Sequence, residues 1–324
     1  MTPREIVART IRFQGADRIP YDLPEPYGND FAWTGMSPNP DSRRPSGIDE
    51  WGCVWECAGV CTLGEVKQFP LQDWSDWDRL TIPDIREERR WKDLPVARER
   101  AGDKFLLAGG IALYERIHFL RGLENTWEDI YAAPEELGRL IDTLADMNLY
   151  AIERFAAAGV DGYMWWDDWG LQDRLMISPQ SFRAIWKPRY AKVYKAAHDA
   201  GMLTILHSCG HITAILDDLI EAGLDVIQMD QQENMGLEAL GRDYAGRITF
   251  YNPVDIQNTM VRGSLDDIRA YCRRMVAALG RPDGGFIAKW YPDPTGAGHR
   301  PEALAAMCEE FLRLSSAHAA AKSV

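Results

Sequence analysis

The feature that most restricts how this chain can fold is an alternation. Short apolar runs, rich in β-branched and aromatic residues, recur along the sequence, and longer stretches with helical periodicity follow most of them. The runs are Arg18–Leu23, Phe105–Gly109, Val160–Trp166, Leu203–His207, Asp225–Met229, Arg247–Tyr251 and Gly285–Lys289. Helical patterns lie near Pro134–Ala158, Pro179–Ala200, Ile212–Ala222, Gly236–Tyr244, Leu265–Leu279 and Pro301–Ala320, with Gly159, Gly201, Gly223 and Gly280 placed as stop signals. Parallel strands need long crossovers, and a helix is the compact way to make one, so this pattern predicts an α/β fold. With 324 residues the simplest solution is a single (β/α)8 TIM barrel over residues 1–324, one of its eight strands being concealed. The interval from Tyr27 to Arg100 breaks the rhythm. It is rich in Trp, Pro, Asp and Gly and carries a hairpin signal in EWGCVWECAGVCTLGEVKQFPL, so it reads as an insertion, about 27–100, after the first strand and over the barrel mouth.

Charge limits the partners. There are 36 basic against 49 acidic side chains, a formal net charge of −13, and no Lys/Arg cluster interrupts that balance. Nucleic acid and anionic membrane surfaces are therefore disfavoured. No run approaches the roughly 20 apolar residues of a membrane span, and the opening MTPREIVARTIRFQG mixes charges in a way a signal peptide does not, so a cytoplasmic location is expected. Six cysteines are too few for a disulfide scaffold, and a reducing compartment would keep them as thiols or ligands.

In such a barrel, chemistry gathers where the strands end. The residues there are polar and aromatic: Asp22 and Glu25, Asp167 and Asp168, His207 and Cys209, Gln228, Asp230 and Gln231, Asn252, and then Trp290 and Tyr291. In LTILHSCGHI, His207 and Cys209 flank one residue, so an extended strand end turns both to the same side, and imidazole plus thiolate is a partial zinc set. His211 or a carboxylate from another strand could complete it. The alternative is a packed histidine above a small apolar cysteine. In WWDDWGLQ two carboxylates lie among three indoles, where burial and mutual repulsion raise one carboxyl pKa and suit it to proton donation or metal binding. The expected catalytic set is thus Asp167, Asp168 and His207, with His207 and Cys209 as metal ligands. The expected substrate set is Glu25, Trp166, Trp169, Gln172, Gln228, Asp230, Asn252, Trp290 and Tyr291. Cys53, Cys57 and Cys61 are spaced C-x3-C-x3-C, but Gly, Val and Trp around them favour a hairpin with packing or loop thiols, and Cys272 and Cys308 fall on helices. There is no phosphate loop, G-x-S-x-G or H-E-x-x-H segment, which removes the sequence support for dinucleotide binding and serine hydrolysis.

Taken together, DEWGCVWE, GEVKQFPL, YERIHFLRG, GVDGYMWWDDWGLQ, ISPQSFRAIWKPRY, ILHSCGHITAILDDLIEAGLDVIQ and GGFIAKW resemble the uroporphyrinogen decarboxylase superfamily, a (β/α)8 family of porphyrinogen decarboxylases and zinc- and corrinoid-dependent methyltransferases. In the methyltransferase branch, H-x-C followed by a distant Cys binds zinc. His207 and Cys209 match the first half, while Trp290, Tyr291 and Pro292 stand where the distant thiolate is expected. The resemblance then implies an oxygen or nitrogen ligand from Asp167, Asp168, Gln228, Asp230 or His211, and a harder Lewis acid suited to an ether or phenol oxygen. Lacking a D-x-H-x-x-G segment, the chain would need its cobalamin presented by a partner corrinoid protein. Decarboxylases of the superfamily hold a polycarboxylate with arginine just after the first strand. Here DLPEPYGND would repel it, at on the order of 1–4 kcal/mol per like-charge contact. The resemblance implies O-demethylation of a small methoxylated substrate first, decarboxylation of a porphyrinogen or smaller acid second, and a barrel that binds a ligand without turnover third.

Overall fold

A computed structural model describes residues 1–57 and 64–322, with side chains as far as residue 318. In chain order its strands are β1 (Tyr21–Asp22), β2 (Phe31–Thr34), β3 (Gly47–Ile48), β4 (Val54–Glu56), β5 (Glu65–Gln68), β6 (Phe105–Gly109), β7 (Gly162–Trp166), β8 (Leu203–His207), β9 (Val226–Gln228), β10 (Thr249–Asn252) and β11 (Phe286–Lys289). Eight of them make one all-parallel sheet in the order β1, β11, β10, β9, β8, β7, β6, β2. The sheet curls into a nearly closed barrel inside a ring of helices, as the alternation predicts.

Side-chain direction alternates along each strand, and the two faces bury different sets. Phe31, Phe105, Leu107, Met164, Leu203, Ile205, Val226, Tyr251 and Ile287 fill the interior. The helix Pro3–Ile11, started by a Thr2 capping box, closes the lower end of the barrel with Val7 and Ile11. The opposite parity, including Leu106, Ala108, Tyr163, Trp165, Leu206, Ile227, Phe250 and Phe286, packs outward against the helices.

Two sequence expectations change here. The concealed strand is β2, inside the interval assigned to the insertion: Phe31–Thr34 pairs with β6 along its whole length. No helix separates β1 from β2. Asp30 joins them, with its carboxylate 2.6 Å from Arg18 and accepting the Tyr21 N–H at 2.9 Å, and with its own N–H on the Tyr21 carbonyl. The insertion thus begins after β2. It contains the antiparallel sheet β3–β4–β5, although the tip of the expected hairpin, with Cys61, lies outside the described residues. Cys57 is disulfide-bonded, against the expectation of thiols or ligands, whereas Cys53, Cys209, Cys272 and Cys308 are free. The second change concerns Pro179–Ala200, which is interrupted by a π turn at Phe182–Trp186. Pro188 cannot donate to the carbonyl four residues earlier, and the ladder widens there.

The insertion grips the helix Glu115–Arg121, which follows β6. Cys53 Sγ donates to the Phe119 carbonyl at 3.1 Å, Asp49 lies 3.5 Å from Arg116, and the Trp55 and Phe119 rings meet edge to face at 4.9 Å. That clamp fixes one wall of the barrel mouth.

Candidate active site

The mouth is organised by the strand ends of β7 and β8. Loops after these strands touch because two glycines face each other: a Cβ on Gly170 would lie 2.3 Å from the His211 nitrogen, and one on Gly210 would lie 2.1 Å from the Gly170 carbonyl. Gly210 also has φ +79°, a conformation that side chains resist. Four bonds then register the loops. The N–H groups of Asp167, Trp169, Gly170 and His211 donate to the His207 carbonyl, Ser208 Oγ, the Cys209 carbonyl and the Leu171 carbonyl at 2.7–3.2 Å.

This contact assembles three donors. Asp168 Oδ1 is 3.3 Å from His207 Nε2, His207 Nε2 is 3.4 Å from Cys209 Sγ, and the Cys209 N–H donates to Asp168 Oδ1 at 2.7 Å. Their ligand atoms all lie within 4.8 Å of one another. Ligands of one tetrahedral zinc, with bonds of about 2.0–2.3 Å, stand roughly 3.3–3.8 Å apart, and both separations from His207 Nε2 match that spacing. The outer partners fit as well. Asp230 Oδ1 accepts the Gln228 amide N–H at 2.6 Å, which turns Gln228 Oε1 toward His207 Nδ1. An amide oxygen can only accept, so Nδ1 carries the proton and Nε2 is left facing Asp168 and Cys209. Lys289 Nζ, 4.0 Å from Asp230, closes this chain of contacts.

Charge couples the three donors. Burial opposes the His207 imidazolium, but the neighbouring Cys209 and Asp168 outweigh it and hold the His207 pKa well above its ordinary value. Burial likewise raises Asp168, yet its bond to His207 wins and its pKa is lowered, while burial raises the Cys209 thiol. A dication would take the place of the His207 and Cys209 protons.

Glu115, which the sequence reading did not select, belongs to this site. It opens the helix gripped by the insertion, and burial first, then the charges of Asp168 and Asp167, push its carboxyl to about 8. Its only sequence signal was its place in a first helical turn after a strand, where an acidic residue usually serves the helix dipole.

The structure separates the two aspartates of WWDDWGLQ. Asp167 has no exposed surface, and its carboxylate accepts from the N–H groups of Leu113, Tyr114 and Glu115, the Trp165 indole and the Tyr190 hydroxyl. Even so, burial raises it to about 6. It caps the helix that carries Glu115, and its donors occupy it within the fold. His211 stands apart from the donor cluster and lines a cavity of about 310 Å³ with Asp173, Arg174 and Leu175 among others.

The expected substrate set divides in the same way. Trp166 is at the mouth, 41% exposed. Gln228 and Asp230 are buried behind His207, and the Tyr291 hydroxyl, half-buried, feels the charges of Asp230 and Cys209 after burial itself. Glu25 and Gln172 are exposed on loops, Gln172 accepting from Asn234 at 3.1 Å, and Trp290 is half-buried against the apolar core. Trp169 and Asn252 are not brought to the mouth. Trp169 is fully buried, stacked on Tyr114 at 3.8 Å with its N–H on the Tyr190 hydroxyl, and Asn252 follows Phe250 on the outward face, its Nδ2 3.4 Å from Gln232. Asp22 is buried too, and burial raises its carboxyl despite hydrogen bonds from Tyr251 and Asn29.

The family described as uroporphyrinogen decarboxylase (URO-D) matches residues 66–309. A uroporphyrinogen decarboxylase of Geobacter sulfurreducens is 25% identical over 227 residues, covering 66% of this chain and 60% of that protein. The methylcobamide:CoM methyltransferase MtaA of Methanosarcina barkeri is 27% identical over 96 residues, 29% of this chain and 27% of that protein. The matched segments span less than two thirds of these relatives. A methyltransferase from Methanosarcina mazei shares the fold, with a TM-score of 0.71 at 16% identity, over 97% of this chain and 99% of that one.

Proposed function

The chain belongs to the uroporphyrinogen decarboxylase family, and from that premise we infer that residues 1–324 act as one barrel unit, a methyltransferase that removes the methyl group of a small methoxylated substrate for a corrinoid presented by a partner protein. The observation that carries this reading is the Asp168–His207–Cys209 donor set, with the Asp168 carboxylate in place of the second thiolate that the sequence lacks. Zinc held there would supply Lewis acidity toward the ether oxygen, and the corrinoid would supply the nucleophile for the methyl carbon.

The chain's own residues do the rest. When the oxygen–methyl bond breaks, the oxygen keeps the bonding pair and needs a proton. Glu115, held protonated at neutral pH by its buried, acidic surroundings, can give it. Gln228, fixed by Asp230, keeps the His207 ring oriented. Asp167 keeps the start of the Glu115 helix against β7.

Decarboxylation is the second reading, and the name of the Geobacter sulfurreducens relative favours it. Against it stand the carboxylates of Asp168 and Asp230 around the mouth, a poor reception for a polycarboxylate.

Metal analysis of protein purified without chelator, combined with a corrinoid methylation assay using methoxylated compounds, tests the proposal. One zinc per chain, lost together with methyl transfer in His207→Ala and Cys209→Ala, is the expected result. Carbon dioxide release from a porphyrinogen by metal-free protein would replace it with the second reading.

A further inference from the structure

Two large rings at the mouth are not used by the chemistry above. Trp33 on β2 is 46% exposed and Trp166 on β7 is 41% exposed, yet they stack on each other at 6.1 Å with 19° between their planes. The other tryptophans around β7, Trp165, Trp169 and Trp186, have no exposed surface and are tied by indole hydrogen bonds to Asp167, the Tyr190 hydroxyl and the Leu113 carbonyl. Water-facing stacked indoles are unlike that core.

The strand between them explains how they meet. Trp33 follows the inward parity of Phe31, and Trp166 that of Met164. On β6 the same parity runs Phe105, Leu107, Gly109. Trp33 is level with Leu107, and Gly109 is level with Met164, so Gly109 lies on the intervening strand between the heights of the two indoles. A Cβ placed on Gly109 would meet nothing within 4 Å. The sequence therefore leaves open space where any other residue would put a side chain. Trp166 is also paired in register with His207, so the platform borders the donor set.

We propose that Trp33 and Trp166, with the space left at Gly109, form a stacking platform for a flat, uncharged aromatic ring, which makes the substrate an aryl methyl ether. This rests on the methyl-transfer reading and names its substrate class. Indole faces gain from offset contact with another π system and from displaced water, neither of which an aliphatic ether or methanol supplies as well. A quaternary ammonium would also suit indole faces. The carboxyls of the site argue against it: Asp168 faces His207, Asp230 is bonded to Gln228 and lies 4.0 Å from Lys289, and desolvation raises the Glu115 carboxyl toward its neutral form.

The test is equilibrium binding by titration calorimetry of zinc-loaded protein, without corrinoid, using 4-methoxyphenol, 4-methoxycyclohexanol and tetramethylammonium as probes. The expected result is that 4-methoxyphenol binds at least tenfold more tightly than the other two. Trp33→Leu, Trp166→Leu and Gly109→Leu should each weaken it about tenfold, with zinc content and unfolding temperature retained. Equal binding of the cyclohexanol, preference for tetramethylammonium, or unchanged binding in the folded variants overturns the proposal. The two readings fail separately. Indole-dependent ring binding without methyl transfer removes only the reaction, whereas methyl transfer from aliphatic ethers that ignores Trp33 and Trp166 removes only the platform.

Discussion

Asp167 and Asp168 are adjacent in the chain but serve opposite sides of the same strand end. The Asp167 carboxylate is enclosed by five donors inside the fold, while Asp168, its side chain about one third exposed, lies 3.3 Å from His207 Nε2 at the mouth. Their substitutions should therefore part. Asp167→Ala strands three helix-start N–H groups and an indole N–H, each costing about 1–3 kcal/mol when buried without a partner, but it also removes the cost of burying the carboxylate, so a net loss of roughly 3–5 kcal/mol is expected in urea unfolding. Asp168→Ala should leave the unfolding of metal-free protein within about 1 kcal/mol of the original but weaken zinc binding at least tenfold, read by competition with a chromogenic chelator.

The support around the donor set should matter nearly as much as the donors. Gln228→Ala removes the acceptor that fixes the His207 ring, and a loss of about 10–100-fold in zinc affinity is expected with protein stability largely kept. Gly210→Ala acts differently: it puts a Cβ against the Gly170 carbonyl in a left-handed backbone conformation, so the β7 and β8 loops must separate. Zinc affinity and unfolding midpoint should then fall together.

Much of this was legible in the chain. The strand Leu203–His207 and the shared direction of His207 and Cys209 follow from period-two alternation, and the structure places them as that reasoning expects. Phe31–Thr34 was hidden because four residues with one tryptophan, set among prolines and glycines, give no periodicity, and because β1 has only two residues and no helix after it. Glu115 was hidden for another reason. Nothing local to YERIHFLRG says that its carboxyl comes under the charge of Asp168, which arrives from the next βα unit, so only the three-dimensional arrangement reveals it. Trp169 misled because indoles beside polar residues look like pocket walls, whereas a Tyr114 stack and a Tyr190 hydrogen bond satisfy this one inside.

If Glu115 supplies the proton, methyl transfer should depend on its protonated form. Its carboxyl is pushed up to about 8, so activity should hold below that value and fall as pH rises through it. Bound zinc would cancel part of the Asp168 charge and shift this limb downward, a displacement that substituting cadmium or cobalt should alter only slightly. Glu115→Gln should lower kcat by about 10²–10⁴ and abolish the limb. A variant that keeps the limb would move the acid role to another group.

A last prediction concerns stability away from the mouth. His198, at the end of the helix Lys187–Asp199, has its Nε2 2.8 Å from Asp225 Oδ2, and Asp225 also accepts the Thr204 N–H at 2.8 Å just before β8 turns toward the site. The Asp225 hydrogen bond outweighs partial burial and raises the His198 pKa above 6.5. A histidine whose folded pKa exceeds its unfolded one binds its proton more tightly when folded, so its contribution is complete below about 6.5 and disappears as pH rises through the higher folded value. Because the pair is partly exposed and screened, the expected size is only about 0.2–1 kcal/mol. Urea midpoints measured from pH 5.5 to 8.5 should show it as a difference: the gap between the original protein and His198→Gln should be largest at the acid end and close toward the alkaline end. A gap that widens with pH would mean that His198 stabilises the fold as a neutral ring.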